Sequence, residues 1–520
     1  MSVGTLARDA RRPEASVTAL RARAIAAPVP AAIVGLTLLG AILRFTRLGH
    51  QGYWFDEANT ALLVHFSPGK MIGLIPQTES TPPLYYCLAW VWARIFGYGE
   101  AGLRSLSALA GVATVPLAYG AGAKLISRRT GVIAAALTAC NPLLIWYSQE
   151  ARAYSLLVAL SAAALLAFAY VRTAPTGRNV TAWVLCSALA MSTHYYALLA
   201  IVPEAVWLLA LHRRRRVVQM GVGAAALCGL ALVPLAISQN GTGHASWIAP
   251  IPLGARLRQL LPQSLIGTGA PAQQILEPLA AALAVLAIVL ALARSERLER
   301  NRALAVGSLA VAGLVLNLLL IAAGIDDLIT RNVIALWLPA ALLVAGGLGA
   351  RRAGALGAAA ATALCAIGVT AAVGVALDRS LQRPDWRGVA RVLASRPPAG
   401  VPARAILVQH YRDLLPLSLY LPRLKFVRGS AVRVSELDVV SISAPRVALC
   451  WWGAACNLSP STLQRSYPVP GFRQLWVKHV YQFTVMRLVS SRPVALTGAV
   501  ISAALETTTL RRDELLVQRR

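Results

Sequence analysis

Long apolar runs separated by short polar turns dominate the chain from about residue 29 to residue 376. A helix needs roughly 17 to 25 apolar residues to cross the hydrocarbon of a bilayer. If somewhat shorter runs are accepted where two are paired, about eleven runs are counted, near residues 29–45, 103–123, 131–147, 153–171, 180–193, 197–211, 217–237, 277–293, 302–323, 332–349 and 354–376. The pattern predicts an α-helical polytopic membrane protein with about 11 to 13 transmembrane helices.

Basic turns alternate with acidic or aromatic turns between these runs. The basic turns are 124–129, 172–178, 212–216, 294–302 and 351–352. Since cytoplasmic loops carry the excess of Lys and Arg, these turns are expected on the cytoplasmic side. The turns that remain, expected together on the outer side, include 56–57, 149–152, 194–196, 238–278 and 326–331.

The apolar run 81–97 does not fit this alternation. A single crossing there would separate Asp56 from the turn 149–152. The run is rich in aromatic residues and also contains Arg94, a composition typical of a helix that lies in the membrane interface. We therefore expect interfacial helices in the first outer loop.

The composition changes at both ends of the apolar region. Residues 1–27 are rich in arginine and have no apolar run, which indicates a cytoplasmic basic tail ahead of an uncleaved first span. The membrane domain is expected over 28–377. The membrane domain is followed by a helical pattern that extends to about residue 395. Apolar runs of strand length come next, near 405–410, 439–442, 447–452 and 482–489. They predict a small extracytoplasmic α/β domain over 378–490, with a charged C-terminal tail over 491–520 that is disordered from Arg511 onward.

Composition supports the membrane assignment. Hydrophobic residues make up 57% of the 520 residues, charged residues 14%, and the mean hydropathy is +0.60. The net charge of +29 comes from 50 Lys and Arg against 21 Asp and Glu, and the clusters between spans account for it better than nucleic-acid binding does. Most cysteines lie within apolar runs; only Cys450 and Cys456 are close together outside them, which would allow a disulfide outside the cytoplasm.

The first outer loop carries the strongest candidate chemistry. Asp56 and Glu57 follow Tyr53, Trp54 and Phe55 shortly after the first apolar run. Aromatic rings settle at the boundary between water and lipid, and a carboxylate there stays ionised while it contacts hydrocarbon. Such a pair alone is also compatible with an ordinary solvated acidic loop.

Further polar residues are expected on the same outer face. Glu150 stands next to Arg152 at the end of a span, an arrangement that a structural ion pair also explains. Arg331 begins a span and either extends to the headgroups or pairs with a lipid phosphate, for which its planar fork of donors suits two oxygens. Lys70 is a weaker candidate of the same kind, and Tyr53 and Trp54 are candidates for sugar contact.

The segment His194-Tyr195-Tyr196 interrupts two apolar runs. A lone histidine at such a place is more often a satisfied core residue. With two tyrosines on the same face, His194 is instead a candidate for orienting an acceptor or holding a phosphate. We find no glycine-rich phosphate loop, dinucleotide fingerprint or Cys/His metal cluster in the sequence, which argues against a nucleotide-activated donor.

Several motifs resemble the GT-C glycosyltransferases. The likeness extends from about residue 40 to 350, and the motifs are Gly52–Glu57, Thr81–Tyr86, Leu103–Gly111, Trp146–Tyr154, Thr193–Tyr196 and Arg331. The chain is most similar to the family 39 branch, which includes dolichyl-phosphate-mannose protein mannosyltransferases and the bacterial aminoarabinose transferase of lipid A. Asp385–Gly388 also resembles bacterial members.

The resemblance implies transfer of a sugar from a polyprenyl-phosphate carrier to an acceptor hydroxyl on a protein, glycolipid or cell-wall glycan, with inversion. Asp56 would be the general base, and Glu57 would shape the pocket or hold the acceptor. Glu150 would be the second acidic position, while Arg331 with Arg152 would stabilise the departing phosphate. Since a monophosphate leaving group needs few compensating charges, these arginines could replace a metal, and a divalent metal as cofactor is also compatible with the chemistry.

Two alternatives remain at this point. A lipid or lipid-linked-sugar transporter would be expected to show repeated halves and charges near mid-span, whereas the charges here lie at the ends of the runs. A membrane-anchored scaffold would leave the acidic first loop unexplained. Usage rich in Ala and Arg points to a bacterium, so the expected location is the plasma membrane, with the active site on the extracytoplasmic side.

Overall fold

The computed structural model of the protein describes residues 28–394, 397, 400–408, 414–427, 431–442, 469–497 and 514–520. The predicted basic tail over 1–27, the run 447–452, and the pair Cys450 and Cys456 lie outside the described residues.

Helices make up nearly all of the described chain up to residue 377. They are α1 Pro28–Phe45, α2 Phe55–Leu63, α3 Pro68–Thr78, α4 Leu84–Phe96, α5 Glu100–Leu125, α6 Arg128–Cys140, α7 Pro142–Ser148, α8 Tyr154–Thr173, α9 Gly177–Thr193, α10 Leu198–Leu211, α11 Arg216–Ala231, α12 Val233–Asn240, α13 Leu253–Ile266, α14 Gln273–Ala293, α15 Arg297–Ala322, α16 Trp337–Leu348 and α17 Gly354–Leu377. Short 3₁₀ turns at Tyr195–Ala197 and Ile334–Leu336 precede α10 and α16. The predicted helical membrane domain is confirmed in outline.

The predicted number of spans is not confirmed. Within the described residues, six helices are long and apolar enough to cross a bilayer, or seven if the bent pair α6 and α7 counts as one span. Four further apolar helices are shorter: Val29–Phe45, Leu84–Phe96, Tyr195–Leu211 and Ile334–Leu348. The count of 11 to 13 is therefore not confirmed, because apolar runs that look alike in sequence form helices of very different length.

A buried arginine stabilises the break between α6 and α7. The two helices are bent by 56° at Asn141, and Pro142 has no N–H to donate to the carbonyl of Thr138. Arg44 replaces the missing donor, with Nη2 2.9 Å from Thr138 O and Nη1 3.0 Å from Ala139 O. The close approach requires Gly111, since a Cβ there would lie 2.8 Å from Arg44 Nε. The bend directs the turn after α7 toward the first loop.

The expected interfacial helix 81–97 corresponds to α4. Its buried face carries Tyr85 and Tyr86, which pack in one apolar cluster with α3 and the start of α5. Its opposite face exposes Leu88, Val91 and Ile95, the spacing of an amphipathic helix. Only 13 residues long, α4 is shorter than a full span.

A sheet domain follows α17. Its helices are α18 Trp386–Leu393 and α19 Leu414–Tyr420, and its strands are β1 Ala403–Val408, β2 Leu424–Phe426, β3 Val432–Ile442, β4 Arg473–Val480, β5 Phe483–Leu496 and β6 Glu514–Arg519. The strand order is β2-β6-β1-β3-β5-β4, with β1 and β3 parallel and the other pairs antiparallel. Trp386 of α18 packs against Phe483 of β5 in the core of this domain, with the two rings tilted by 50°.

The predicted tail over 491–520 needs correction. β5 continues to Leu496, and β6 pairs with both β1 and β2 inside the sheet. The prediction of a disordered end is wrong for residues 514–519, since Leu515 and Leu516 are buried. The charged residues on either side of β6 led to the prediction of a disordered tail. β6 is a short apolar strand that is stabilised only by pairing with strands distant in sequence.

Candidate active site

The first loop is fixed by a buried ion pair between α2 and α5. Arg104 of α5 contacts both carboxylate oxygens of Glu57, at 2.7 Å and 2.6 Å. The N–H of Ala151 donates to Glu57 Oε1 at 2.8 Å. Burial opposes ionisation of Glu57, but the charge and hydrogen bonds of Arg104 hold its pKa below the usual value. Glu57 therefore joins the first loop to the turn after α7.

This ion pair gives a prediction for stability. Replacing Glu57 with Gln would leave the guanidinium of Arg104 buried without a counter-charge, so Glu57→Gln should lower stability by about 3 kcal/mol. Thermal unfolding of the purified protein in detergent measures the loss. Glu296→Gln is the control, because Glu296 forms an exposed pair with Arg351. Equal stability of the two variants would contradict the role of Glu57.

Asp56, the neighbour of Glu57, points to the other side of α2. It lies in the first turn of the helix, where the helix dipole favours a negative charge. Its Oδ2 is 2.8 Å from Nη1 of Arg331, and both side chains are about 15% exposed. The guanidinium of Arg331 also lies 5.7 Å from the ring centroids of Tyr154 and Trp247. Two predicted residues that are 275 positions apart thus meet.

The pair lines a cavity of about 300 Å³. Among the predicted site residues, the cavity walls include Asp56, Arg152, His194, Tyr196 and Arg331. Walls that were not predicted include Glu79, Asn59, Tyr154, Trp247 and Asp327. The cavity is therefore polar on the side of α2 and the span ends, and aromatic around Arg331.

Glu79, at the end of α3, is a cavity carboxylate that the sequence reasoning missed. Its Oε2 is 2.8 Å from Arg152 Nη1 and accepts a 2.6 Å hydrogen bond from the hydroxyl of Tyr86. Burial raises the pKa of Glu79, and Arg152 opposes that rise. Arg152 also donates to the backbone carbonyl of Asp56 at 3.2 Å. A signal was present, since Glu79 is the only acidic residue between Glu57 and Glu100.

The segment 194–196 contributes two residues to the cavity. Burial, followed by the charges of Arg152 and Arg331, lowers the pKa of His194 to about 3, so the ring is neutral. Tyr196 donates to Asp327 at 3.0 Å. Tyr195 points elsewhere and donates to Gln239 at 2.7 Å.

Three more predicted residues lie away from the cavity lining. Lys70 is exposed on α3, 4.3 Å above the ring of Phe66. Tyr53 is buried among α3, α4 and α5 and donates to the carbonyl of Tyr98. Trp54 occupies the N-cap position of α2. These three residues are not among the cavity walls.

Glu150 is buried behind the cavity. Its closest charged partner is Arg383, 3.6 Å away, and neither carboxylate oxygen has a hydrogen-bond partner within the described residues. Burial raises the pKa of Glu150 to about 7, against the opposing charge of Arg383. Glu150 is therefore not among the cavity walls, whereas Glu79 is.

The raised pKa of Glu150 predicts a pH effect on stability. A carboxyl group with a folded pKa above its unfolded value stabilises the fold fully below the unfolded pKa, and this contribution is lost as the pH rises through about 7. Glu150→Gln should therefore flatten the fall in unfolding temperature between about pH 5 and pH 8, without loss of activity. A fall as steep as that of the unchanged protein would contradict this. Glu296→Gln, an exposed carboxyl, is the control.

Within the described residues, no group of three His, Cys, Asp or Glu side chains has the geometry of a metal site. The cavity instead holds two guanidinium groups, those of Arg152 and Arg331, each against a carboxylate.

Comparisons with known proteins agree with this fold. Residues 80–237 match the family model described as dolichyl-phosphate-mannose-protein mannosyltransferase. The crystal structure of ArnT from Cupriavidus metallidurans in the apo state has a TM-score of 0.55 and 14% identity, and the match covers 88% of this chain and 97% of that one. The same protein bound to undecaprenyl phosphate has a TM-score of 0.52 and 13% identity, with the same coverage. No curated protein matches by sequence. The predicted resemblance is confirmed: the family model matches part of the chain, and the chain shares a multi-span membrane fold with ArnT.

Proposed function

We propose that the protein transfers a sugar from a polyprenyl-phosphate donor to an acceptor hydroxyl, with inversion, at the extracytoplasmic face of a bacterial plasma membrane. The acceptor is a protein, a glycolipid or a cell-wall glycan. The match to a mannosyltransferase family model and the fold shared with ArnT support a transferase of this kind, and one ArnT structure contains undecaprenyl phosphate.

The observation that carries the proposal is a pair of cavities that share one segment. Arg331 and Asn332 line the polar cavity, whereas Thr330, Val333 and Ile334 line a second cavity of about 340 Å³. The second cavity is mainly apolar, with Leu260, Leu314 and Trp337 among its walls. An apolar groove that adjoins a cationic polar cavity suits an isoprenoid chain that ends in a phosphate.

Arg331 would connect the base and the leaving group. A guanidinium carries five N–H donors in a planar fork, and Asp56 takes one of them at 2.8 Å. A phosphate on the same fork would place the anomeric carbon of the donor next to the carboxylate of Asp56. Arg152 supplies a second positive charge, partly offset by Glu79.

We assign the following steps to groups in this cavity. The acceptor oxygen attacks the anomeric carbon as its proton passes to Asp56, and the bond between that carbon and the phosphate oxygen breaks. The electron pair leaves with the phosphate, where Arg331 and Arg152 stabilise the developing charge. Attack from the face opposite the phosphate inverts the anomeric centre. His194, neutral and buried, accepts a hydrogen bond from the backbone N–H of Tyr196 and does not add charge.

The test is a transfer assay with the purified protein in lipid nanodiscs. Polyprenyl phosphates that carry mannose, glucose, arabinose or aminoarabinose are offered with bacterial envelope extracts, and loss of sugar from the lipid is measured. Release of polyprenyl phosphate together with a glycosylated acceptor supports transfer. The second candidate, a transporter, predicts movement of the intact donor across the bilayer with no loss of sugar, and that result would refute the proposal.

A further inference from the structure

The segment just before Asp56 is held through its backbone carbonyls. Arg104 of α5 donates to the carbonyl oxygens of Leu48, Gln51 and Gly52 at 2.7 to 3.0 Å. The same guanidinium neutralises Glu57. The membrane domain therefore holds one side of the segment 48–52.

The sheet domain holds the other side. Arg387 of α18 donates to the two remaining carbonyls, those of Gly49 and His50. Five successive carbonyl oxygens, from residue 48 to residue 52, thus accept from two arginines on different domains. The approach is close, since a Cβ on Gly52 would lie 3.0 Å from Arg387 Cβ and 3.2 Å from the Tyr420 hydroxyl.

Tyr420, at the end of α19, completes this contact. Its hydroxyl accepts from the N–H of Tyr53 at 2.8 Å and donates to Glu100 at 2.8 Å. Glu100 also pairs with Arg387 at 3.2 Å. A single hydroxyl group therefore connects the sheet domain, the start of α5 and the residue three positions before Asp56.

The sheet fixes α18 rigidly. Arg404 of β1 and Arg487 of β5 both donate to the carbonyl of Leu393, the last residue of α18. Asp438 of β3 balances their charge, 2.7 Å from Arg487 and 3.4 Å from Arg404. A displacement of α18 would break this buried network, so Arg387 is held at a defined position relative to the sheet.

The sheet domain also forms part of the cavity wall. Leu414 and Leu415 of α19 and Phe426 of β2 line the cavity that contains Asp56 and Arg331. These side chains are apolar, whereas the membrane domain contributes charged groups to the same cavity. The cavity is therefore built from both domains.

We propose that Tyr420 is a positioning residue for Asp56, and that the sheet domain is in this way an integral part of the active site. The inference rests on the proposed function, since it assigns Tyr420 a role through the base of that reaction. Among the described residues, the Tyr420 hydroxyl is hydrogen-bonded to Tyr53 and Glu100 and not to Arg152 or Arg331, so we expect it to affect the geometry of the base and not the binding of the donor.

The test compares Tyr420→Phe with Tyr481→Phe in the full-length protein in nanodiscs. Tyr481 is a half-exposed tyrosine of the same domain that lies against Arg379, a contact that a phenylalanine ring keeps. Tyr420→Phe should lower kcat by about 10- to 100-fold, because small misplacements of a reacting group are costly. Its affinity for polyprenyl phosphate, measured by thermal stabilisation, should equal that of the unchanged protein. Tyr481→Phe should change neither quantity.

An unchanged kcat in Tyr420→Phe, or an equal loss of kcat and of affinity for polyprenyl phosphate, overturns the inference. If Tyr420→Phe does not accumulate as folded protein, Glu100→Gln replaces it, with a fall in kcat at unchanged affinity expected and an unchanged kcat overturning the inference. The variant Asp56→Asn distinguishes failure of the proposed function from failure of the role given to Tyr420. A fully active Asp56→Asn refutes the proposed function itself, whereas an inactive Asp56→Asn beside a fully active Tyr420→Phe refutes only the role of Tyr420.

Discussion

Asp56→Asn should reduce the rate of sugar transfer by about 10²- to 10⁴-fold, the usual contribution of one general base. Asparagine has nearly the same shape and can still accept from Arg331 through its amide oxygen, so folding and donor binding should persist. Only the ability to take the proton of the acceptor hydroxyl is lost. Initial rates of transfer in nanodiscs at saturating donor measure the effect.

The matched control for Asp56→Asn is Asp378→Asn. Asp378 is exposed after α17 and caps a short turn through Ser380, which asparagine also does. This control should transfer sugar at the normal rate. Normal transfer by Asp56→Asn would show that Asp56 is not the base.

Arg331→Gln should weaken donor binding and slow transfer together. Removing one partner of a buried, hydrogen-bonded charge pair costs about 2 to 5 kcal/mol, or roughly 30- to 5,000-fold. The loss should be greater for a polyprenyl phosphate than for a neutral polyprenol, because the guanidinium recognises the phosphate. Thermal stabilisation by each lipid and the transfer rate measure the two effects.

Two further variants test whether the effect of Arg331→Gln comes from the planar guanidinium of Arg331. Arg331→Lys should recover only part of the binding, since an ammonium group cannot hold Asp56 and a phosphate on one planar fork. Arg258→Gln, on the exposed face of α13, should behave as the unchanged protein does. Equal affinity of Arg331→Gln for the phosphate and the polyprenol would remove Arg331 from the phosphate site.

The sequence predicted the convergence of Asp56, Arg152, His194 and Arg331 better than it predicted the individual roles. Charged residues at the ends of apolar runs are forced to the same boundary, so their proximity follows from the alternation of basic and acidic turns. The partner of each charge does not follow, because it depends on helix rotation. Glu57 and Glu150 therefore looked like site residues but are buried behind the cavity.

Glu79 illustrates the opposite error. It follows α3 in a loop that the hydrophobic pattern treats as a mere connection, and its pairing with Arg152 spans 73 residues. A search for carboxylates inside apolar loops, and not only next to spans, would have found it.

The sheet domain shows a third limit. The helix Trp386–Leu393 and the strand Ala403–Val408 were predicted nearly in place because each has a clear local pattern. The hydrogen bonds of Arg387 and Tyr420 to the first loop span more than 300 residues, and no periodicity in the sequence indicates them. The treatment of this region as a separate module therefore hid its contribution to the cavity.

The most direct test of the account is a structure of the protein bound to a short-chain polyprenyl-phosphate sugar. We expect the isoprenoid chain against Val333 and Trp337, the phosphate within hydrogen-bonding distance of Arg331, and the anomeric carbon facing Asp56. A donor whose phosphate lies outside the cavity of Asp56 and Arg331 would contradict it.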